Sequence, residues 1–381
     1  MFSLFTREAK ASGAIPLVAL SQLGAARWTQ NPGALAREGF EKNAVGYRAV
    51  RLICEAAASV PWTANDMAHP AIKLLNRPNP MQSGAELMEM FYGHLHTLGN
   101  AYLHGLVLED GPVREIHALR PDRMEAMIGA NGWPFGWVYR IDRQERRILC
   151  EPDGWSPVLH MKLFSPLQDV VGMSPLQAAG KAVDIHNAGA AWAKALIDNS
   201  ARPSGALVYG KAGEHMTHDQ FERLKTELND SHTGAINAGR PMLLEGGLDW
   251  KPMSFTPSDM DFVAARHDAA REIALALGVP PMMLGIPGDN TYSNYKEANL
   301  AFWRLTVLPL VEKAAGALSN WLSERFETQV SLRPDLDCVS ALSAERDALW
   351  ARLEAASFAT TDEKRALAGL QSTSGGKGRI G

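Results

Sequence analysis

Two alanine-rich helical segments, separated by residues 202–257, constrain the architecture of this chain more than any other feature. The first extends from Pro175 to Ala201 and includes LQAAGKAVDIHNAGAAWAKALIDNSA; the second, FVAARHDAAREIALALG, follows Ser258. Small side chains let helices approach closely on several sides, so the first segment suits packing beside copies of itself. An ordinary alanine-rich core helix is the alternative that this composition leaves open. The pattern predicts that one helix leads out to an inserted module and the other leads back.

The inserted residues 202–257 predict a small α+β module. A strand-like run, GALVYG, follows the break at residues 202–205, and Thr217 with Gln220 marks a helix start. In PMLLEGGLDWKP, the pair Gly246-Gly247 separates two strand-like runs, as in a β-hairpin. Ser258 then caps the returning helix, with an acidic residue three positions later.

The N-terminal third has a mixed pattern. Its first ~40 residues are rich in Ala and Gly and predict an arm with little core of its own. One helix is predicted before Pro61, and a second begins at a capping box of Ser83 and Glu86 and ends at Gly99. Six strand-like runs follow, separated by turn residues: AYLHGLVL, VREIHAL, MEAMI, GWVYRI, RRILC and PVLHMKL. This third is therefore predicted to be α+β.

The stretch LGVPPMMLGIPGDNTYSNYKEANLAF joins the returning helix to another one through a polar loop. Pro280 and Pro281 fix the exit from the first helix, since proline restricts its own backbone and that of the residue before it. Gly285, Gly288 and Asn290 allow the loop to flex.

The helix after this loop is predicted to start at Ser293 or Asn294 and to continue to about residue 326. Pro309 lies inside its apolar pattern and is predicted to kink it, because proline removes one backbone hydrogen bond and crowds the preceding turn. One or two further helices are predicted between residues 335 and 370, followed by the flexible tail QSTSGGKGRIG.

Charge and composition exclude several classes of protein. The formal net charge is -4 and the sequence pI about 6.3, without the basic excess of a protein that grips nucleic acid phosphates. A protein that DNA merely slides past stays compatible with this balance. The three cysteines form no CxxC pair, which predicts a reduced intracellular protein. We expect no signal peptide and no membrane span.

A catalytic or metal centre has little support in the sequence. His94 and His96 are two positions apart on a predicted helix and so face different ways, and His104 lies nearby. Asp249, Asp259 and Asp261 could form a metal cluster, but Asp261 is explained more simply by the helix start. The loops GIPGDN and SGGKGR lack the context that dinucleotide and phosphate sites require. We therefore expect no enzymatic activity, no cofactor and no metal.

Four stretches together resemble the portal proteins of tailed bacteriophages, of the siphophage-head type. They are NRPNPMQSGAELMEMFYGHLHTLGNAYL, VLHMKLFSPLQDVVGMSPLQAA, DMDFVAARHDAAREIALALGVPPMMLG and SNYKEANLAFWRLTVLPLVEKAAGAL. Each is weak alone, but they occur in the family's order, with the expected insert between the second and third. The small size resembles a compact member, such as a gene transfer agent portal or a prophage portal.

The resemblance implies an α+β portal fold that assembles into a ring. It assigns an N-terminal arm and wing (1–165), a first stem helix (166–201), a small α+β clip (202–257) and a second stem helix (258–281). A tunnel loop with a kinked tunnel helix (282–328) and a reduced helical crown with the tail (329–381) complete it.

The implied function is a dodecameric ring at one capsid vertex, the channel for DNA packaging and ejection. Implied partners are other copies of the chain, the major capsid protein, the large terminase, the head-tail adaptor and double-stranded DNA bound without sequence specificity. The ring would lie in the virion or a phage-like particle, and in the host cytoplasm during assembly.

The resemblance also implies site residues of three kinds. Those of the tunnel loop and channel are Asp289, Asn290, Thr291, Tyr292, Asn294 and Lys296. Those that set the geometry of the loop and helix are Pro280, Pro281, Gly285, Gly288 and Pro309. Those that contact terminase and adaptor through the clip are Glu245, Asp249 and Trp250.

Two other functions are alternatives. One is a non-portal ring or scaffold protein that shares the helix–insert–helix plan. The other is a metal-dependent enzyme centred on His94, His96 and His104.

Overall fold

The computed structural model describes most of the chain. The described residues are 28–29, 31–64, 66–108, 111–198, 205–209, 217–219, 222–223, 226, 248–252, 262–288, 292–326 and 328–369. Residues 1–27 of the predicted N-terminal arm, Ser258 and the C-terminal tail lie outside these residues, whereas residues 32–41 of that arm are helical and bury Leu35 in the structure. The helices are α1 Pro32–Ala36, α2 Ala44–Ala58, α3 Pro70–Asn76, α4 Gly84–Leu98, α5 Pro175–Ala178, α6 Gly180–Asp198, α7 Phe262–Leu277, α8 Tyr292–Phe302, α9 Leu308–Ser323, α10 Ser343–Ala355 and α11 Thr361–Leu367.

The strands form four small antiparallel sheets within the described residues. Their bounds are β1 Trp62–Ala64, β2 Asn100–Leu106, β3 Glu115–Leu119, β4 Met124–Ile128, β5 Pro134–Ile141, β6 Gln144–Leu149, β7 Val158–Lys162, β8 Gly205–Tyr209, β9 Leu248–Pro252 and β10 Leu332–Pro334. The sheet orders are β3-β2-β7, β4-β5-β6, β1-β10 and β8-β9. All six predicted strands of the N-terminal third are present, so the predicted α+β character is confirmed.

Local sequence signals fix both ends of α4. The Ser83 hydroxyl and the Glu86 carboxylate form the predicted capping box. The helix ends at Gly99, whose φ of 74° is the left-handed conformation that favours glycine. Helix α2 buries Val50, Ile53 and Cys54 on one face, whereas Tyr47 is 43% exposed.

One core joins the N-terminal third to the late helices. Buried residues of α2 and α4 pack together with Val311, Ala314, Leu318 and Leu322 of α9. The loop before β7 is fixed to the same helix: the Trp155 indole donates to the Trp321 carbonyl (3.1 Å) and the Trp321 indole donates to the Ser156 carbonyl (2.8 Å). The body formed by α2, α4 and α9 is therefore complete within one chain.

The first alanine-rich segment is divided rather than continuous. Ser174 caps the short α5, the helix breaks at Ala179, and α6 then begins at Gly180. Helix α7 lies against α6, with Gly189 close to Arg266. The prediction of two helices flanking residues 202–257 is thus correct, with a break that small-residue composition does not reveal.

The helix after the polar loop is interrupted before Pro309. The sequence predicted that the helix starts at Ser293 or Asn294. Instead, α8 begins at Tyr292, so both residues lie within its first turn. A π-helical segment, Trp303–Val307, separates α8 from α9, and Pro309 lies in the first turn of α9. The wider π-helical turn is where the helix accommodates a residue that cannot donate a backbone hydrogen bond.

Residues 202–257 contain an antiparallel strand pair, β8 and β9. Leu248–Pro252 pairs with Gly205–Tyr209, and the other half of the predicted hairpin around Gly246-Gly247 lies outside the described residues. Residues 218, 219, 222, 223 and 226 are helical, in line with a helix starting at Thr217. Among the described residues, no helix is both long and apolar enough to cross a membrane.

Candidate channel loop and helix pair

Helix α7 ends in a Schellman motif that aims the chain toward the polar loop. The Gly278 N–H donates to the Leu275 carbonyl (3.0 Å) and the Val279 N–H donates to the Ala274 carbonyl (2.9 Å). Gly278 has a φ of 70°, as the motif requires. The Thr306 hydroxyl of the π-helical segment donates to the Gly278 carbonyl (2.6 Å). The end of α7 and the start of α9 are therefore tied together.

The two prolines and Gly285 build a compact turn after α7. Pro280 precedes a 3₁₀ turn, Pro281–Leu284, and Gly285 ends it with a φ of 71°. Ile286 is then buried against Ala270 and Ala274 of α7. This geometry is consistent with the predicted role of the prolines in fixing the exit from α7. Gly285, which was predicted to let the loop flex, ends the turn, and Ile286 after it is buried.

The next two residues are also held against α7. The Arg271 guanidinium donates to the Pro287 carbonyl, and a side chain at Gly288 would come within 3.1 Å of the same guanidinium. Since α8 begins at Tyr292, only residues 289–291 separate the anchored turn from the next helix. The connection between the anchored turn and α8 is therefore only three residues long.

Three of the six predicted channel residues lie at the start of α8. Asp289, Asn290 and Thr291 lie outside the described residues, and Tyr292 is the first residue of the helix. Asn294 and Lys296 are exposed, as is Glu297 beside them. Farther along, Arg304 forms an ion pair with Glu345, so this cation is neutralised within the chain. The exposed start of α8 thus carries both signs of charge instead of a basic patch.

A polar network fixes the helix pair to the body. The Asn43 side chain accepts from the N–H groups of Val45 and Gly46 at the start of α2, and its amide lies 3.1 Å from His186 Nδ1 and 2.9 Å from Asn187 Oδ1. Burial and the nearby Arg266 lower the pKa of His186. This network holds α6 where it leaves the body.

Beyond that network the helix pair has little core of its own. Residues 263–268 of α7 are all exposed, and Val263 retains 71% of its surface. Ile185 on α6 is 42% exposed and Leu275 on α7 is 78% exposed. Apolar side chains on an outward helix pair suit contacts with another protein surface.

The predicted clip residues fall on or near strand β9. Asp249 and Trp250 pair with Val208 and Leu207 of β8, and Glu245 lies outside the described residues. Of the proposed acidic cluster, Asp259 and Asp261 also lie outside.

The three histidines do not form a metal site. His94 and His96 lie on α4, and His104 lies on β2 opposite His117. Burial lowers the pKa of each of the three to about 4. Both ring nitrogens of His96 are buried without a hydrogen-bond partner. The described part of the chain contains no group of three or more residues that could hold a metal ion.

Several residues that shape this region were not predicted from the sequence. Ile286 and Arg271 anchor the loop, and Thr306 ties the π-helical segment to the end of α7 at Gly278. The isolated Ile in a Gly- and Pro-rich stretch was the available signal for the first. No local signal marks Arg271 or Thr306, because their partners are backbone carbonyls distant in sequence.

Comparison with known families gives one match across most of the chain. The family model described as "Phage portal protein" matches residues 44–369. This range includes α2 to α11 and both alanine-rich helices.

Individual relatives support the same assignment. The structure titled "Neck of native GTA particle computed with C12 symmetry" contains a chain 51% identical to this one, with a TM-score of 0.69, covering 93% of this chain and 98% of that chain. An uncharacterized protein of Rickettsia bellii (strain RML369-C) is 40% identical over 87% of this chain and 88% of its own length. The portal protein of Enterobacteria phage HK97 is 24% identical over 68% of this chain and 59% of its own length.

Proposed function

Because the chain belongs to the phage portal protein family, we propose that twelve copies form a ring at one vertex of a phage-like head and that double-stranded DNA passes through it during packaging and ejection. The observation that carries this proposal is the 51% identity, across 93% of the chain, to a protein in a twelvefold-symmetric neck of a gene transfer agent particle. Portal proteins are a structural family, and the ring is a structural role.

The helix pair supplies the contacts that such a ring needs. In a cyclic ring each copy presents two different surfaces, one to each neighbour. Helices α6 and α7 leave the body with small residues on several sides and with Leu275 and Val263 exposed. We propose that these helices pack beside those of adjacent copies, as the alanine content favours.

The start of α8 and residues 289–291 are proposed to face the channel. Each phosphate neutralised by a cation strengthens DNA binding through counterion release, by a slope of about 0.9 in log K against log salt. A conduit must let DNA slide, so a strongly basic wall would act against it. The mixed charges at Lys296 and Glu297, with Asp289 and Asn290 nearby in sequence, suit a weakly interacting wall.

The remaining regions are proposed to serve as docking surfaces. The N-terminal wing would contact the major capsid protein. Residues 202–257, including Glu245, Asp249 and Trp250, would contact the large terminase during packaging and the head-tail adaptor afterwards. The strand pair β8–β9 is consistent with this role because it lies in the sequence between α6 and α7.

Native mass spectrometry with negative-stain imaging of the purified protein tests the ring directly. Closed rings of about twelve subunits with a central hole are the expected result, given the symmetry of the related neck. A compact dimer at every protein concentration, also in the presence of the shell protein, would contradict the proposal.

A further inference from the structure

The loop between β7 and α5, residues 163–173, exposes two large apolar side chains almost completely. Phe164 is 84% exposed and Leu167 is 91% exposed, and Val171 beside them is 46% exposed. Within the sequence LFSPLQDVVGM only Asp169 carries a charge. We call residues 163–173 the latch loop.

The latch loop is held at both ends by the body. Asn100 at the start of β2 accepts from the Gly172 N–H (2.8 Å) through its side-chain oxygen, and its amide donates to the Gly172 carbonyl (3.2 Å). The Leu163 N–H donates to the Gly99 carbonyl (2.9 Å). A side chain at Gly172 would lie within 2.2 Å of that same carbonyl oxygen, so only glycine fits there.

The middle of the loop is braced as well. The Lys162 ammonium donates to the Asp169 carbonyl, and Lys313 of α9 donates to the Lys162 carbonyl (2.8 Å). Partial burial lowers the pKa of Lys313. Phe164 and Leu167 are thus presented on a loop whose conformation is already fixed.

A fixed loop with exposed apolar residues has the properties of a binding surface. An interface residue that is ordered before binding loses less conformational entropy when the complex forms. Aromatic side chains are enriched among the residues that dominate binding energy, and charged residues are depleted at the centre of an interface. The nearly uncharged latch loop fits a permanent protein contact better than a contact with DNA.

We propose that the latch loop binds the neighbouring copy of this chain in the ring, with Phe164 and Leu167 buried against that copy. This inference rests on the proposed ring. The loop continues directly into Ser174, α5 and α6, so it is contiguous with the helix pair that the ring places side by side. The uncharged composition is that of an obligate interface between copies, and it distinguishes this surface from a transient docking site.

A photo-crosslinking experiment identifies what touches the latch loop. Phe164 is replaced with p-benzoylphenylalanine, the protein is assembled with its shell protein, and the products are irradiated and mapped by mass spectrometry. We expect covalent dimers of this chain that contain residue 164 of one copy. Cross-links to the shell protein alone, or none in closed rings, would overturn the inference while leaving the ring intact. Absence of both rings and dimers would reject the ring and the inference together.

A matched pair of variants measures the contribution of the loop. Phe164→Ser with Leu167→Ser should raise the protein concentration needed for half-maximal ring formation by about tenfold or more, because two interface anchors are lost. The control Phe358→Ser changes the same residue type, 92% exposed, in the turn between α10 and α11. It should leave ring formation unchanged.

Both variants alter exposed residues, so they should unfold at the same denaturant concentration as the unmodified chain. Equal assembly of the double variant and the unmodified protein would show that the loop does not bind a neighbouring copy.

Discussion

The body and the outward helices bury very different shares of their apolar surface within one chain. In the body, Phe91, Ile53 and Leu318 are fully buried. On the outward elements, Leu275 and Leu305 each retain 78% of their surface. The body therefore gains its stability inside the single chain, and in the proposed ring the exposed side chains of the outward helices would be covered by neighbouring copies. Substitutions should accordingly lower the stability of the chain in the first region and affect assembly or transport in the second.

The largest effect on stability is expected at Trp321 in the body. Its ring is 6% exposed, lies parallel to Trp155 with centroids 6.0 Å apart, and joins α9 to the loop before β7 through two indole hydrogen bonds. Trp321→Ala should lower the free energy of unfolding by about 3–5 kcal/mol, since it removes a buried aromatic residue and leaves a cavity. Chemical denaturation monitored by circular dichroism measures this.

Tyr295→Ala on α8 is the matched substitution in the outward region. Tyr295 is 50% exposed, and its loss should change the free energy of unfolding by less than about 0.5 kcal/mol. Similar losses in the two variants would show that the body and α8 do not differ as described.

Acid should weaken the body more than the outward helices. The folded-state pKa values of His94, His96 and His104 are about 4, because burial disfavours their charged forms. Their unfolded value is about 6.5, so between pH 6.5 and 4 the unfolded chain binds more protons. The free energy of unfolding should therefore fall as the pH decreases through this window, and level off for these groups below pH 4.

His96→Leu tests the origin of this acid sensitivity. Both ring nitrogens of His96 are buried without partners, so leucine should be tolerated at pH 7. The variant should lose less stability than the unmodified chain between pH 6.5 and 4, by an amount on the order of 1 kcal/mol for each unit of pKa shift removed. Denaturation curves of the variant and of the unmodified chain, each recorded at pH 7 and pH 5, measure this difference. An equal loss of stability between the two pH values in both proteins would exclude His96 as a contributor.

A smaller effect is expected where the two regions meet. Gly278 has a φ of 70°, and a side chain there would lie 2.8 Å from the Thr306 hydroxyl oxygen. Gly278→Ala should lower the free energy of unfolding by about 1–2 kcal/mol, because L-residues are strained in this conformation. Gly316→Ala in α9 has open space around it and should raise the stability by up to about 1 kcal/mol. Thermal denaturation of the pair should therefore show shifts of opposite sign.

Local patterns predicted the elements of the body well. The capping box at Ser83, the left-handed Gly99 and the six strands were all available from sequence periodicity and turn chemistry. The outward region was predicted less well, because its details depend on contacts between distant residues. The break at Ala179, the start of α8 at Tyr292 and the π-helical segment before Pro309 have no comparable local signal.

The same distinction explains the candidate site. Prolines and glycines predicted a turn after α7, since their backbone restrictions are intrinsic to the residue. The anchoring of that turn by Ile286 and Arg271 depends on how α7 packs, which a single sequence does not give. The predicted flexible loop is consequently shorter than the pattern of small and polar residues suggested.

The smallest effect on stability is expected at residues 289 and 290, where the effect on transport should be clear. Asp289→Lys together with Asn290→Lys adds two positive charges and removes one negative charge, a net change of +3 per copy, just before the exposed start of α8. Rings should form normally, but DNA filling should be impaired, and more so at low salt, because a basic wall retains the duplex through counterion release. Packaged DNA per particle, measured by nuclease protection, gives the result.

The control for this double variant places the same charge change on the body. Asn320 and Glu324 are both exposed on or just after α9, and Asn320→Lys with Glu324→Lys also changes the net charge by +3. Normal packaging by this control and reduced packaging by the loop variant would assign the effect to the position of the charge. Normal packaging by both would remove residues 289–290 from the channel wall, because a net charge change of +3 in each of the twelve proposed copies could not face sliding DNA without slowing it.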